Sequence, residues 1–152
     1  MAQKSSARNS SGPAFTDDER AAMKERSQEL KKDARRGTSK KAADGEADVL
    51  AKIAAMDDAD RAMAERIHAI VREAAPGLAP KTWYGMPAYA RGKDVVVFFQ
   101  DAGKFKARYS TLGFSDKAAL DDGPLWPNSY ALSEMTPEAE ERIRELIIRA
   151  AG

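Results

Sequence analysis

The apolar residues of this chain change their spacing, and the change fixes the order of its elements. Before Pro76-Gly77, Met63, Ile67, Ile70, Val71 and Ala74 stand at i, i+4, i+7, i+8 and i+11, one face of an amphipathic helix. Beyond it the period becomes two. Three extended runs are expected, at Thr82–Ala90, Val95–Gln100 and Phe105–Ser110. Arg91-Gly92-Lys93-Asp94 and Asp101-Ala102-Gly103-Lys104 separate them as hairpin-length turns. After Gly113 a helical turn around Asp116–Leu120, a loop through Gly123-Pro124 and Trp126-Pro127, and a short fourth strand at Ser129–Leu132 follow. Ala139, Ile143, Leu146, Ile147 and Ala150 then restore helical spacing, with Thr136 at the N-cap and Pro137 in the first helical position. This order predicts an α+β fold: an antiparallel β-meander sheet with N-terminal and C-terminal helices packed on one face.

Two details sharpen the expectation. Pro87 cannot donate to a ladder, so its strand should lie at an edge or carry a bulge there. In the second run Val95, Val97 and Phe99 should point one way, and Val96 and Phe98 the other. Both faces are then apolar, and one helical layer covers only one. Trp and Tyr side chains, a homodimer partner or a ligand would have to cover the second.

Upstream, Val49, Leu50, Ile53 and Met56 mark a helix after Asp44, and Asp57 or Asp58 caps the next. Thr16 and Glu19 form a Thr-x-x-Glu capping box that opens a helix running toward Arg36, with Gly37 as its stop. Its only large apolar residues are Met23 and Leu30, so it is expected to be exposed and loosely attached. The organisation expected is a disordered tail over 1–14, a polar N-terminal helical extension and linker over 15–44, and an α+β domain over 45–152.

Composition removes several function classes. There is no cysteine, hence no disulfide, thiolate metal site or cysteine nucleophile. No apolar run reaches the ~18 residues of a membrane span, and the first residues lack the apolar stretch of a secretory signal. A cytoplasmic location without membrane association is the expectation. Residues 1–44 hold 11 Lys/Arg against 7 Asp/Glu. The excess lies in Lys31, Lys32, Arg35, Arg36, Lys40 and Lys41, a basic segment that could meet nucleic-acid phosphates. No aromatic residue is interleaved with it, which favours a solvated helix end.

Asp57-Asp58-Ala59-Asp60-Arg61 with the helix after it, Ala75-Pro76, and above all Tyr84-Gly85-Met86-Pro87-Ala88-Tyr89 before a turn and an apolar strand resemble the YdhG-like family. This domain-of-unknown-function group is linked with a frataxin-like superfamily name. The resemblance spans roughly residues 46–150. It implies a small α+β fold with an antiparallel sheet and carries no agreed catalytic motif. One branch is described as an intracellular iron chaperone, which implies iron binding as an alternative function.

Among the residues themselves, the single histidine, His68, has Ala64 and Arg72 at i±4, neither a metal ligand nor an orienting carboxylate. No catalytic residues and no cofactor are assigned. For a hard cation the candidates are Asp57, Asp58 and Asp60, and separately Asp121 and Asp122. For a small anionic or aromatic ligand they are Tyr84, Met86, Tyr89, Lys106, Arg108 and Trp126, with Lys106 and Arg108 on one sheet face. The function expected is that of a small non-catalytic domain binding a small molecule or protein partner at the sheet face near Tyr84–Tyr89. Iron handling and nucleic-acid association are the alternatives.

Overall fold

The computed structural model describes the backbone of residues 16–35 and 38–152, and the side chains of residues 16–32 and 43–152. The expectations for the tail, for Arg36 and Gly37, and for the side chains of Arg35, Lys40 and Lys41 lie outside the described residues. Three helices come first: α1 (Asp17–Arg35), α2 (Thr38–Ala54) and α3 (Asp58–Ala74). The strands β1 (Ala79–Trp83), β2 (Met86–Arg91) and β3 (Asp94–Gln100) follow. A helical turn, α4 (Ala102–Phe105), precedes β4 (Ser110–Phe114) and β5 (Ser129–Leu132), and α5 (Pro137–Ala151) ends the chain. The fold is α+β, with one antiparallel sheet in the meander order β1-β2-β3-β4-β5.

Two of the expected caps form, at Thr16 and Thr136, while Asp57, the N-cap residue of α3, makes no side-chain cap bond. Thr16 N–H donates to Glu19 Oε1 at 2.9 Å, and Glu19 N–H returns to Thr16 Oγ1 at 3.1 Å. Thr136 Oγ1 accepts from Ala139 N–H at 3.1 Å, with Pro137 opening α5. The main core joins Ile67, Ile70 and Val71 of α3, Ile143, Leu146 and Ile147 of α5, and Val49 and Ile53 of α2 to Tyr89, Val97, Phe99 and Leu112 of the sheet. Each large aliphatic side chain sealed there stabilises by roughly 1.5–3 kcal/mol.

Four local expectations are corrected. First, α2 begins at Thr38, so the stretch read as a linker is helical. Gly45 permits this placement, because a β-carbon there would strike the Pro80 carbonyl of β1. Leu50, read as part of its apolar face, is exposed. Second, residues 105–109 do not form a strand. Asp101 accepts from Lys104 N–H at 3.2 Å, and Gly103 N–H donates to buried Asp60 of α3 at 2.9 Å. Lys106 closes the turn in a left-handed conformation. These bonds satisfy the backbone in place of a ladder, and pairing resumes only at Ser110.

Third, β2 is an interior strand. Trp83 and Met86 close a two-residue hairpin, Thr82 faces Pro87, and pairing with β3 starts one residue later, at Ala88↔Phe98. Next to the closing pair the N–H groups point away from the partner strand, so Pro87 deprives β1 of nothing. Fourth, the register shifts between Tyr89 and Ala90, which face Val97 and Val95. Val96 is the extra residue, and strict alternation fails there. Val96, Val97 and Phe99 join the main core, while Val95 groups with Ala88 and Ala90 under Trp83 and Phe98. The second apolar face therefore receives side-chain cover from Trp83 and Phe98 of the sheet itself.

Candidate anion-binding site

The hairpin between β1 and β2 turns on Tyr84 and Gly85, with φ of 54° and 76°. Both central residues are left-handed, as in a type I′ turn, where Asn-Gly is the usual pair. Glycine adopts this at no steric cost. Tyrosine does so at a cost of about 1–2 kcal/mol. Its ring is compensated by an edge-on contact with Trp83, centroids 5.0 Å apart, and by the Arg26 guanidinium 5.9 Å above it.

A turn of this shape aims successive N–H groups at one point. Tyr84 N–H donates to Glu29 Oε1 at 3.0 Å and Gly85 N–H to Glu29 Oε2 at 2.9 Å. One carboxylate thus bridges two adjacent amides, the geometry of an anion-holding nest. Glu29 belongs to α1 and is buried despite its charge. Arg26 lies 3.5 Å away, its Nη1 buried without a hydrogen bond.

One turn earlier on α1, Glu25 offers one oxygen to Lys52 of α2 and the other to Lys104 of α4. Burial alone would raise the Glu25 carboxyl, but the hydrogen bonds and charges of Lys104 and Lys52 outweigh it and hold it below the usual range. Both carboxylates meet at the turn. A β-carbon on Gly85 would collide with Lys104 Nζ and the Glu25 carboxylate. Beside this cluster opens a cleft of ≈ 350 Å³, bounded by Lys52, Met56, Asp57, Gly85, Asp101 and Lys104. Burial pushes the Asp101 carboxyl up, against the hydrogen bonds it accepts. Two ammonium groups and two adjacent amides, fixed on α2, α4 and the β1–β2 turn, can hold an anion through charge-assisted hydrogen bonds.

The candidates from sequence are dispersed. Tyr84 forms the turn and Met86 is buried behind it. Tyr89 lies in the main core, and Trp126 packs against that core from its loop. Lys106 and Arg108 are exposed on the segment after α4. Lys106 pairs with Asp18 at 3.4 Å, and the Arg108 guanidinium lies over the Tyr109 ring. None of the six bounds the cleft.

Of the acids, Asp57 and Asp60 both approach Gly103, and Asp58 does not join them. Asp57 is exposed at the start of α3, and Asp58 pairs with Arg61 at 2.8 Å. Asp60 is spent on the Gly103 amide and the Ser110 hydroxyl. Asp121 and Asp122 are exposed in a loop. Among the described residues no group of three or more His, Asp or Glu could hold a metal ion. Of the basic segment, the described Lys31 and Lys32 side chains are exposed. No described helix is long and apolar enough to cross a membrane.

His68 finds partners that its own helix could not supply. Its Nδ1 lies 2.9 Å from Tyr89 Oη, and its Nε2 lies 3.2 Å from Glu46 Oε2 of α2. Glu46 in turn lies 3.5 Å from Arg72. Both ring nitrogens are engaged and the ring is buried, as a core histidine requires.

A second cleft, ≈ 270 Å³, lies between β5 and α5 and is mostly apolar, with Leu112, Leu132, Ile143 and Leu146 in its walls and Arg142 at its edge. Comparison of the chain with protein-family models, with curated proteins and with solved structures finds no match in any of the three.

Proposed function

We propose that this chain is a small non-catalytic binding domain whose ligand is a small anion held at the β1–β2 turn. One observation carries the reading: Lys52, Lys104 and the Tyr84 and Gly85 amides converge beside the cleft, and carboxylates occupy all four donors. The strained Tyr84 conformation points the same way, since such residues cluster at ligand sites. The iron-binding alternative gains no support here: Asp58 pairs with Arg61, Asp60 serves the Gly103 amide and the Ser110 hydroxyl, and among the described residues no group of three or more His, Asp or Glu could hold a metal ion.

The test is thermal unfolding of the full chain with inorganic phosphate or pyrophosphate at low ionic strength. A ligand at a hundredfold excess over Kd adds about 2.7 kcal/mol to native-state stability. Stabilisation should appear in the parent protein and vanish in Lys52→Ala/Lys104→Ala. The same stabilisation in that variant, or none in the parent, sinks the proposal.

A further inference from the structure

From the way α1 is seated, we infer that this helix is a displaceable internal ligand of the anion site, and that the external ligand is a small molecule carrying two neighbouring anionic groups. The inference rests on the anion-site reading and adds both the ligand class and its regulation.

The argument begins with what α1 buries. Its large apolar residues, Met23 and Leu30, are 43% and 52% exposed, while Glu29 is 8% exposed. A helix docked for stability presents its apolar stripe to the core. This one presents Ala22, Glu25, Arg26 and Glu29. Among the described residues its attachments to the rest of the chain include the two carboxylates, one on two lysines and one on two amides, with Asp18 on Lys106 and Arg26 over the Tyr84 ring beside them.

Those attachments are also the donors any entering anion would need. Glu25 and Glu29 stand at i and i+4, with Cβ atoms about 5–6 Å apart. In an isolated helix this like-charged pair is mildly destabilising. It becomes favourable here because the two carboxylates fill two adjoining subsites, one cationic and one amide-lined. A molecule with a single anionic group fills one of them. A molecule with two linked groups fills both and competes with both carboxylates of α1.

Competition has a quantitative consequence. While α1 is docked the site is closed, so the apparent Kd equals the intrinsic value divided by the fraction of molecules with α1 undocked. Neutralising both carboxylates keeps side-chain size and raises that fraction.

The experiment uses the full chain and Glu25→Gln/Glu29→Gln. Calorimetry reads affinity for pyrophosphate and for inorganic phosphate, and amide hydrogen exchange reads protection across Ala22–Leu30. The double variant should bind pyrophosphate at least about tenfold more tightly than the parent. Pyrophosphate should accelerate exchange of α1 in the parent, and inorganic phosphate should bind more weakly than pyrophosphate to both proteins. Glu25→Gln alone should show an intermediate gain, a check that does not depend on the double variant folding well.

Unchanged affinity in the variants, with binding still lost in Lys52→Ala/Lys104→Ala, overturns the internal-ligand idea and leaves the anion site standing. Pyrophosphate that binds while α1 stays protected also overturns it. Equal affinity for the two probes overturns the requirement for two anionic groups. Failure of every protein to bind either probe overturns the anion site itself.

Discussion

Residue by residue, Gly85 is one position that tolerates a side chain poorly. It combines a positive φ with a Cβ direction aimed at Lys104 and Glu25. Gly85→Ala should destabilise the domain by roughly 1–3 kcal/mol, measured by urea unfolding. A change below about 0.5 kcal/mol would mean that the turn relaxes freely. Tyr89 offers a pH test. Burial, reinforced by the charge of Glu46 and opposed by Arg72, raises its phenol pKa well above the ordinary value. The folded state therefore keeps the proton after the unfolded chain has begun to lose it near pH ~10. The stability this group contributes is complete below that pH and declines as pH rises beyond it. Tyr89→Phe should cost about 1–3 kcal/mol at neutral pH, because His68 Nδ1 loses its partner. The gap should narrow above pH ~10, where only the parent is penalised; parallel curves would contradict the assignment. Little of this was legible in sequence. Helical neighbours gave His68 no partner, and Tyr89 and Glu46 reach it only through the tertiary fold.

Among the elements, those held by apolar periodicity were readable and those held by polar contacts were not. Residues 63–74 and 139–150 show their buried stripes in the spacing alone, and α3 and α5 form where that spacing places them. The α4 turn escaped because its determinants are Asp60, 43 residues before the Gly103 amide it accepts from, and a left-handed Lys106. Helix α1 was legible as a helix but not as an attachment. The available signal was Glu25 and Glu29 on one face, a repulsive pair that wants cations. That attachment should be acid-sensitive. Glu25 is held below the usual carboxyl range by Lys104 and Lys52 against its own burial. Its contribution is present above the ordinary glutamate value of about 4.3 and is lost as pH falls through the lower folded value. Around it stand Lys52 of α2, Lys104 of α4, and Arg26 and Glu29 of α1 itself. The backbone amide resonances of α1 around Glu25, and those of Lys52 and Lys104 that its carboxylate holds, should therefore shift as pH falls below about 4.3, ahead of global unfolding. If they move only with the global transition, α1 is an integral part of the cooperative unit.

At the scale of the whole molecule, the sheet separates two apolar clusters of unequal size, and the separation predicts unequal energetics. The larger seals Phe99, Val97, Tyr89 and Leu112 beneath α2, α3 and α5. The smaller holds Ala88, Ala90 and Val95 under Trp83 and Phe98, both rings partly exposed. The doubly apolar strand was visible in sequence, and so was the need to cover its second face. The parity of its side chains was not, because the Val96 bulge depends on pairing with β2. The tryptophan of the opening hairpin therefore belongs to the thinner layer. Phe99 has no exposure, and Phe99→Ala should cost about 3–5 kcal/mol through lost burial and a cavity the core cannot close. Trp83→Ala removes a larger ring, yet part of that ring already faces solvent. It leaves a surface groove and should cost no more than about 2 kcal/mol. Urea unfolding of both variants at matched slope decides the point. A Trp83 loss equal to that of Phe99 would place both clusters in one cooperative core and make the hairpin part of the folding framework. A small loss leaves the hairpin free to serve ligand binding, since Trp83 then braces Tyr84 edge-on without carrying the stability of the fold.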